Sequence, residues 1–135
     1  MNLQTFTSFE GRIPRKTFWL AILVMIVISW ILQFILFAIF GTSMMPDATL
    51  TPEEQMAQAE NMMGAMMIPL VILMLITLWP SLAIYTKRWH DRNKSGWWSL
   101  IMLVPIIGGI WLLVECGFLR GTEGPNNYGP DPIAD

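Results

Sequence analysis

An all-α membrane protein with three transmembrane helices is the fold the sequence predicts, and three observations predict it. Residues 17–40 run without an Asp, Glu, Lys, Arg or His; residues 65–85 do the same; residues 97–118 are interrupted only by Glu115. At ~1.5 Å per residue, each segment is long enough for a hydrocarbon core ~30 Å thick. Hydrophobic residues make up 54% of the chain and charged residues 13%, about half the usual share for a soluble domain. The charges sit between the apolar segments, and what remains outside them is too short for an ordinary soluble domain. Residues 1–135 therefore read as a single polytopic membrane domain.

The N-terminal stretch 1–16 carries Arg12, Arg15 and Lys16. The apolar run that follows exceeds a ~7–15-residue signal-peptide core, and Ala38-Ile39-Phe40-Gly41 is a poor cleavage site, so an uncleaved anchor is expected. Loop 41–64 has no Lys or Arg and carries Asp47, Glu53, Glu54 and Glu60. Within it, Thr51-Pro52-Glu53-Glu54 supplies an N-cap, a proline at the first helical position and a capping-box glutamate. A helix starting there is expected to run into span 65–85, extending the second helix into the periplasm, with Pro69 and Pro80 as kink sites.

Loop 86–96 holds Lys87, Arg88, Arg92 and Lys94 against Asp91. Positive residues mark cytoplasmic span ends. The N-terminus and this loop are thus expected inside, and loop 41–64 outside. Trp19, Trp79, Trp89, Trp97 and Trp98 lie near span ends, where indole rings favour the headgroup layer. Segment 97–118 is broken by Pro105-Ile106-Ile107-Gly108-Gly109, a helix breaker followed by permissive glycines. Two readings stay open. The segment crosses as a third span and leaves the tail 119–135 outside. Alternatively it re-enters as a hairpin, bringing tail and Glu115 back to the cytoplasmic side, provided that neighbouring helices satisfy the broken backbone.

The densest chemistry is Lys87-Arg88-Trp89-His90-Asp91-Arg92, running on to Ser95-Gly96-Trp97-Trp98. Arg88 and Arg92 lie four apart, so a continuing helix puts both on one face, where they suit a phosphate or carboxylate. Arg12, Arg15, Arg88, Trp89, His90, Asp91, Arg92, Trp97 and Trp98 are therefore the candidate residues for binding anionic lipid headgroups or a protein partner. The plainer alternative is topological: cations hold the loop inside, tryptophans anchor it, Asp91 pairs with an arginine and Ser95 caps the next helix. As a catalytic dyad, His90-Asp91 is disfavoured, because adjacent helical residues point ~100° apart. Glycine-rich phosphate loops and zinc-protease signatures are missing. One cysteine and one histidine exclude an intrachain disulfide framework and a Cys/His zinc site.

Two further features carry weaker readings. Met44, Met45, Met56, Met62, Met63, Met66 and Met67 crowd in or beside loop 41–64; thioethers suit Cu(I), but methionine also fills irregular apolar gaps. Glu115 is the one acid within an apolar segment, hence a functional suspect. It lies close enough to the segment's end to reach headgroup water.

Gly11-Arg12 with Arg15-Lys16-Thr17-Phe18-Trp19, then Arg88-Trp89-His90-Asp91-Arg92 through Trp98, then the helix at 105–108, form one pattern. With them goes the tail Gly121-Thr122-Glu123-Gly124-Pro125-Asn126-Asn127-Tyr128-Gly129-Pro130-Asp131-Pro132. Together they resemble a family of small bacterial inner-membrane proteins, domain of unknown function 805 (DUF805). The likeness covers nearly the whole chain and fades in loop 41–64. It implies a multi-pass protein of the bacterial cytoplasmic membrane and carries no catalytic role. It singles out Arg12, Arg88, His90, Asp91 and Tyr128 as recurring polar positions, and implies that the tail folds back rather than trailing free.

The function expected is non-enzymatic: an accessory or interaction protein, without cofactor or metal, binding anionic lipid headgroups or a membrane partner through the Arg/Trp/His cluster. Self-association or docking on another membrane protein is expected, because three helices leave much apolar surface. Nucleic acid is not an expected partner. The first alternative is an oligomeric channel or transporter component with Glu115 and Gln33 facing a pore. The second is a lipid-acting enzyme using His90 and Asp91.

Overall fold

The computed structural model describes residues 2–41, 45 and 47–133, and among these the chain is mostly helical without strands. A short helix α1 (Gln4–Thr7) precedes two long ones, α2 (Arg15–Phe40) and α3 (Pro52–Asp91). A 3₁₀ stretch (Gly96–Leu103), a short helix α4 (Ile107–Leu112) and a π-helical turn (Leu113–Phe118) complete the order. Both long helices are long and apolar enough to cross a membrane, by length and composition.

Helix α3 begins as its capping box dictates: Thr51 N donates to Glu54 Oε2 at 2.8 Å, and Glu54 N returns to Thr51 Oγ1 at 3.4 Å. Its 40 residues, about 60 Å at 1.5 Å per residue, run unbroken through Pro69 and Pro80. The expected basic loop 86–96 is thus helical for its first half. Helix α3 closes on a Schellman motif. Asn93 takes the left-handed conformation (φ 57°), Asn93 N donates to His90 O and Lys94 N to Trp89 O, both at 2.9 Å. Asparagine tolerates that conformation where most side chains resist it.

Segment 97–118 is not one helix. Ser95 caps the 3₁₀ stretch by accepting from Trp97 N, and the chain then reverses at Pro105-Ile106. Ile107 N donates to Pro105 O at 2.7 Å around Ile106 at φ 65°, ψ −62°. That is a γ-turn of the strained hand, on a β-branched residue. Gly108 closes the hairpin: a Cβ there would run into the backbone carbonyl of Ile101. Segment 97–118 thus folds as two arms, because proline removes the helical donor and glycine permits the arms to touch. Both arms are apolar and mostly exposed, with Leu103 and Ile106 about four-fifths accessible.

The chain divides into two compact units, Ile26–Thr77 and Met1–Met25 with Leu78–Asp135. The first is a pair of helical stretches meeting through Leu36, Phe37, Met66, Pro69 and Leu73, around a cleft of about 100 Å³ that Gln33 also lines. Its outward faces carry exposed Trp30, Phe34, Ile68 and Met74. Met45, Met56, Met63 and Met67 are exposed, Met62 and Met66 half-buried, and Met44 lies outside the described residues. The second unit has an interior: Ile13, Phe18, Ala21, Met25, Ile84, Trp89, Leu112 and Cys116 are buried together. Its polar centre is the candidate site.

Candidate functional site

Asp91 sits in the last turn of α3 with its side chain almost fully buried, and two arginines close on it. Arg12 Nε lies 3.1 Å from Asp91 Oδ1, and Arg88, one turn earlier on α3, pairs with Oδ2. Neither guanidinium stops there. Arg12 Nη2 donates to Thr122 O at 2.6 Å, and Nη1 to Gly124 O at 2.8 Å and Gly129 O at 3.2 Å. Arg88 donates to the carbonyls of Cys116 and Leu119. The Asp91 carbonyl accepts from Thr122 N at 2.7 Å. Gly121 passes directly over the Asp91 carboxylate, leaving no room for a Cβ. Two charged forks thus hold five backbone carbonyls between Cys116 and Gly129, most of them in a stretch without regular structure.

Burial pulls Arg88 below its ordinary value, and the Asp91 carboxylate opposes that pull. Because a guanidinium does not give up its proton in proteins, the cost is met by pairing instead. One carboxylate against two arginines leaves a positive charge, spread over the carbonyl dipoles. Lys87, also buried, is lowered by desolvation and donates to Gln4 O of α1.

A second layer extends the first. Glu115, in the π-helical turn, accepts from Arg92 Nε at 3.0 Å and Lys94 Nζ at 2.9 Å, while Arg92 Nη1 reaches Arg120 O at 2.6 Å. Trp19 and Arg15, from the first turns of α2, donate to Gly117 O at 3.1 Å and Phe118 O at 2.9 Å. The residues 126–129 form a tight turn, with Asn126 and Gly129 exchanging backbone hydrogen bonds and Asn126 Oδ1 accepting from Tyr128 N. The turn presents Tyr128 flat on His90, ring centroids 3.8 Å apart and 6° from parallel. Asn126 Nδ2 donates to His90 O at 2.8 Å, and Asn93 Oδ1 accepts from Asn127 N at 3.2 Å. His90 Nδ1 lies 3.2 Å from Gly11 O. A carbonyl only accepts, so Nδ1 carries the proton. Burial of the ring pushes His90 below the ordinary imidazole value, against the pull of the Gly11 carbonyl.

The sequence-predicted residues therefore separate into two groups. Arg12, Arg88, Asp91 and Trp89 are interior, Arg88 and Trp89 completely so. Arg88 and Arg92 do not offer a shared grip on a ligand, because α3 ends at Asp91 and each arginine has its own acceptors. His90 and Asp91 face different partners and make no dyad. Arg15, Trp97 and Trp98 stay exposed, Trp97 at 78%. Glu115 is held by two cations rather than reaching for water.

Sequence reasoning missed the roles of Trp19 Nε1, Asn93, Asn126 and Lys94. The unusual density of Asn and Gly in the tail was the available signal. Around Pro14, Arg15, Lys16, Arg120, Thr122 and Asp131 lies a cleft of about 170 Å³. No group of three or more His, Cys, Asp and Glu side chains suited to a metal occurs among the described residues.

Residues 6–130 match the family described as "Protein of unknown function (DUF805)". The chain is similar to "Inner membrane protein YhaH" of Escherichia coli K12, with 33% identity over 96% of this chain and 91% of that one. It is similar to "Inner membrane protein YhaI" of the same strain at 30%, over 96% and 90%. It resembles the same strain's "Uncharacterized protein YiiR" at 26%, over 95% and 88%. No solved structure matches. The arginine-stapled tail, the broken third segment and two long apolar helices are thus the architecture of a protein that belongs to the DUF805 family, and YhaH and YhaI among its relatives are inner membrane proteins.

Proposed function

We propose that this chain is a non-enzymatic integral protein of the bacterial inner membrane that crosses twice and holds anionic lipid headgroups at its cytoplasmic face. Residues 17–40 and 65–85 cross, segment 97–118 re-enters and returns, and both N-terminal and C-terminal segments stay on the cytoplasmic side. Positive residues flank that side only, while loop 41–64 has no Lys or Arg. The hairpin reading is supported by the hydrogen bonds that join the tail to Arg12 and Arg88.

The headgroup contact rests on one observation. Helix α2 opens on Arg15 and Lys16 with no acid in its first turn, so two cations sit at the positive end of a helix dipole. Neither has an ion-pair partner among the described residues, Arg15 donating only to the Phe118 carbonyl. An anion supplied from outside relieves both. Both side chains line the cleft beside Arg120, next to exposed Trp19, at the depth where phosphates lie if α2 begins its crossing at residue 17.

The test is lipid selectivity. In nanodiscs of mixed phosphatidylcholine and phosphatidylglycerol, the protein should retain phosphatidylglycerol on dilution into detergent. Arg15→Ala with Lys16→Ala should weaken that retention by about fivefold per cation, at ~1 kcal/mol each. Unchanged retention in the double variant would sink the headgroup contact.

A further inference from the structure

Within the unit Ile26–Thr77, one face of the helix pair repeats with the spacing of a packing seam. On α2, Ile26, Trp30, Gln33, Phe37 and Phe40 follow one another at alternating steps of four and three. That is the ~3.5-residue period which turns one stripe toward a neighbouring helix. All five are exposed. On α3, Met67, Leu70 and Met74 keep the same period and are exposed as well. Gln33, Phe37, Phe40 and Leu70 line a single cleft between the two stretches, so the stripes open on the same side.

Apolar side chains on such a face need only lipid. Two polar groups on it need more. Gln33 is the one amide in the run 17–40, and seven residues, about 10 Å, separate it from the run's outer end. Trp30 lies a turn deeper and is 72% exposed, far from the headgroup layer that suits an indole. Neither side chain enters a hydrogen bond among the described residues. An amide and an indole N–H left unmet in hydrocarbon are costly, because no water reaches them. An acyl chain supplies neither donor nor acceptor, so whatever covers this face has to bring both at the same depth.

A second copy of this chain does so. Both copies insert with the same orientation, so the twofold axis relating them runs along the membrane normal. Residues on the seam then meet their own counterparts at equal depth. A primary amide both donates and accepts, so Gln33 is complementary to Gln33 of the second copy. The Trp30 N–H, one turn away, has the same amide carbonyls to reach. We infer that this face of α2 and α3 is a homodimer interface, closed by hydrogen bonds between the two Gln33 amides. The inference rests on the proposed crossing of residues 17–40 and not on the Arg15/Lys16 contact, which lies in the other unit.

The experiment uses the full chain in liposomes of phosphatidylcholine and phosphatidylglycerol. Copies carrying donor or acceptor dye on Glu10→Cys, with the native Cys116 buried, should show energy transfer that persists as lipid is added. The transfer should rise linearly with the acceptor fraction, as a dimer requires. Gln33→Leu keeps every hydrogen bond within the chain, so it should fold unchanged, yet raise the dissociation constant about tenfold. Gln33→Asn should recover part of that loss. Disulfide trapping is an independent readout. Oxidised membranes should cross-link Phe37→Cys, on the seam, and not Ile35→Cys, exposed on the opposite face of α2. Transfer no greater than random encounter, equal cross-linking at both positions, or a Gln33→Leu dimer as tight as the parent overturns the inference. A chain whose Gln33 is reserved for a different membrane protein gives the first of these. Phosphatidylglycerol retention that survives Gln33→Leu, and a dimer that survives Arg15→Ala with Lys16→Ala, let each reading fail alone.

Discussion

At the residue scale, Asp91 decides more than any other side chain. It is the one acid between two buried arginines, and removing one partner from a buried ionic group costs ~3–5 kcal/mol, because the remaining charges are left uncompensated. Asp91→Ala should therefore lower the unfolding free energy in detergent by about that much, and Arg12→Ala by a similar amount. The exposed Arg15→Ala should stay within ~0.5 kcal/mol. Denaturant titration of the three variants checks the ranking. Gly121→Ala should behave like a weakened Asp91 variant, since its methyl meets the same carboxylate. His90 adds a pH dependence. Its folded-state value lies below the ordinary 6.5, so the unfolded chain binds the proton first as pH falls. Stability from this group is complete above about pH 6.5 and is lost progressively as the pH drops from there toward the folded value. His90→Phe keeps a ring against Tyr128 and should flatten that part of the stability–pH curve.

At the scale of elements, what could be read from the sequence depended on the range of the interaction. Helix α3 starts where Thr51-Pro52-Glu53-Glu54 says it must, and a capping box is complete within four residues. The break at Pro105–Gly109 was equally local. Its consequence was not: carbonyls of residues 116–129 find donors as far away as Arg12 and Arg88, 28 to 117 positions along the chain. The π-helical turn at Leu113–Phe118 has no sequence signature, and Glu115 acquires its role only once that turn brings it to Arg92 and Lys94. The γ-turn at Ile106 offers a direct test of the hairpin. A β-branched residue at φ 65° stores ~1–3 kcal/mol of strain that glycine does not. Ile106→Gly should thus raise the thermal midpoint, whereas Gly108→Ala should lower it by forcing Ile101 away. Were segment 97–118 one continuous helix, the signs would reverse, because glycine weakens a helix interior and alanine strengthens it.

For the whole molecule, the question is which groups share a face of the membrane, and the tail answers it through chemistry rather than hydropathy. Every carbonyl that Arg12 holds belongs to residues 122–129, so the segment before α2 meets the tail, as the proposed two-crossing arrangement requires. The two crossings proposed above keep those bonds on one side. Three reporters, each with one added cysteine, test this. The native Cys116 is fully buried and stays dark to a membrane-impermeant thiol reagent, so it needs no replacement. Glu10→Cys, Glu60→Cys and Asn127→Cys all sit at exposed positions, and Asn127 contributes only its backbone to the contact with Asn93. In intact cells Glu60→Cys should label, while Glu10→Cys and Asn127→Cys should label only after lysis. Asn127→Cys labelling alongside Glu60→Cys would place the tail outside, separate Arg12 from its carbonyls and leave a buried arginine with Asp91 alone. The arginine staple should govern how tightly the tail is held rather than its side. With Arg12→Ala, the residues around 127 should become several-fold more accessible to protease from the cytoplasmic side, without changing sides, because the hairpin that returns them is closed by Pro105 and Gly108 rather than by Arg12.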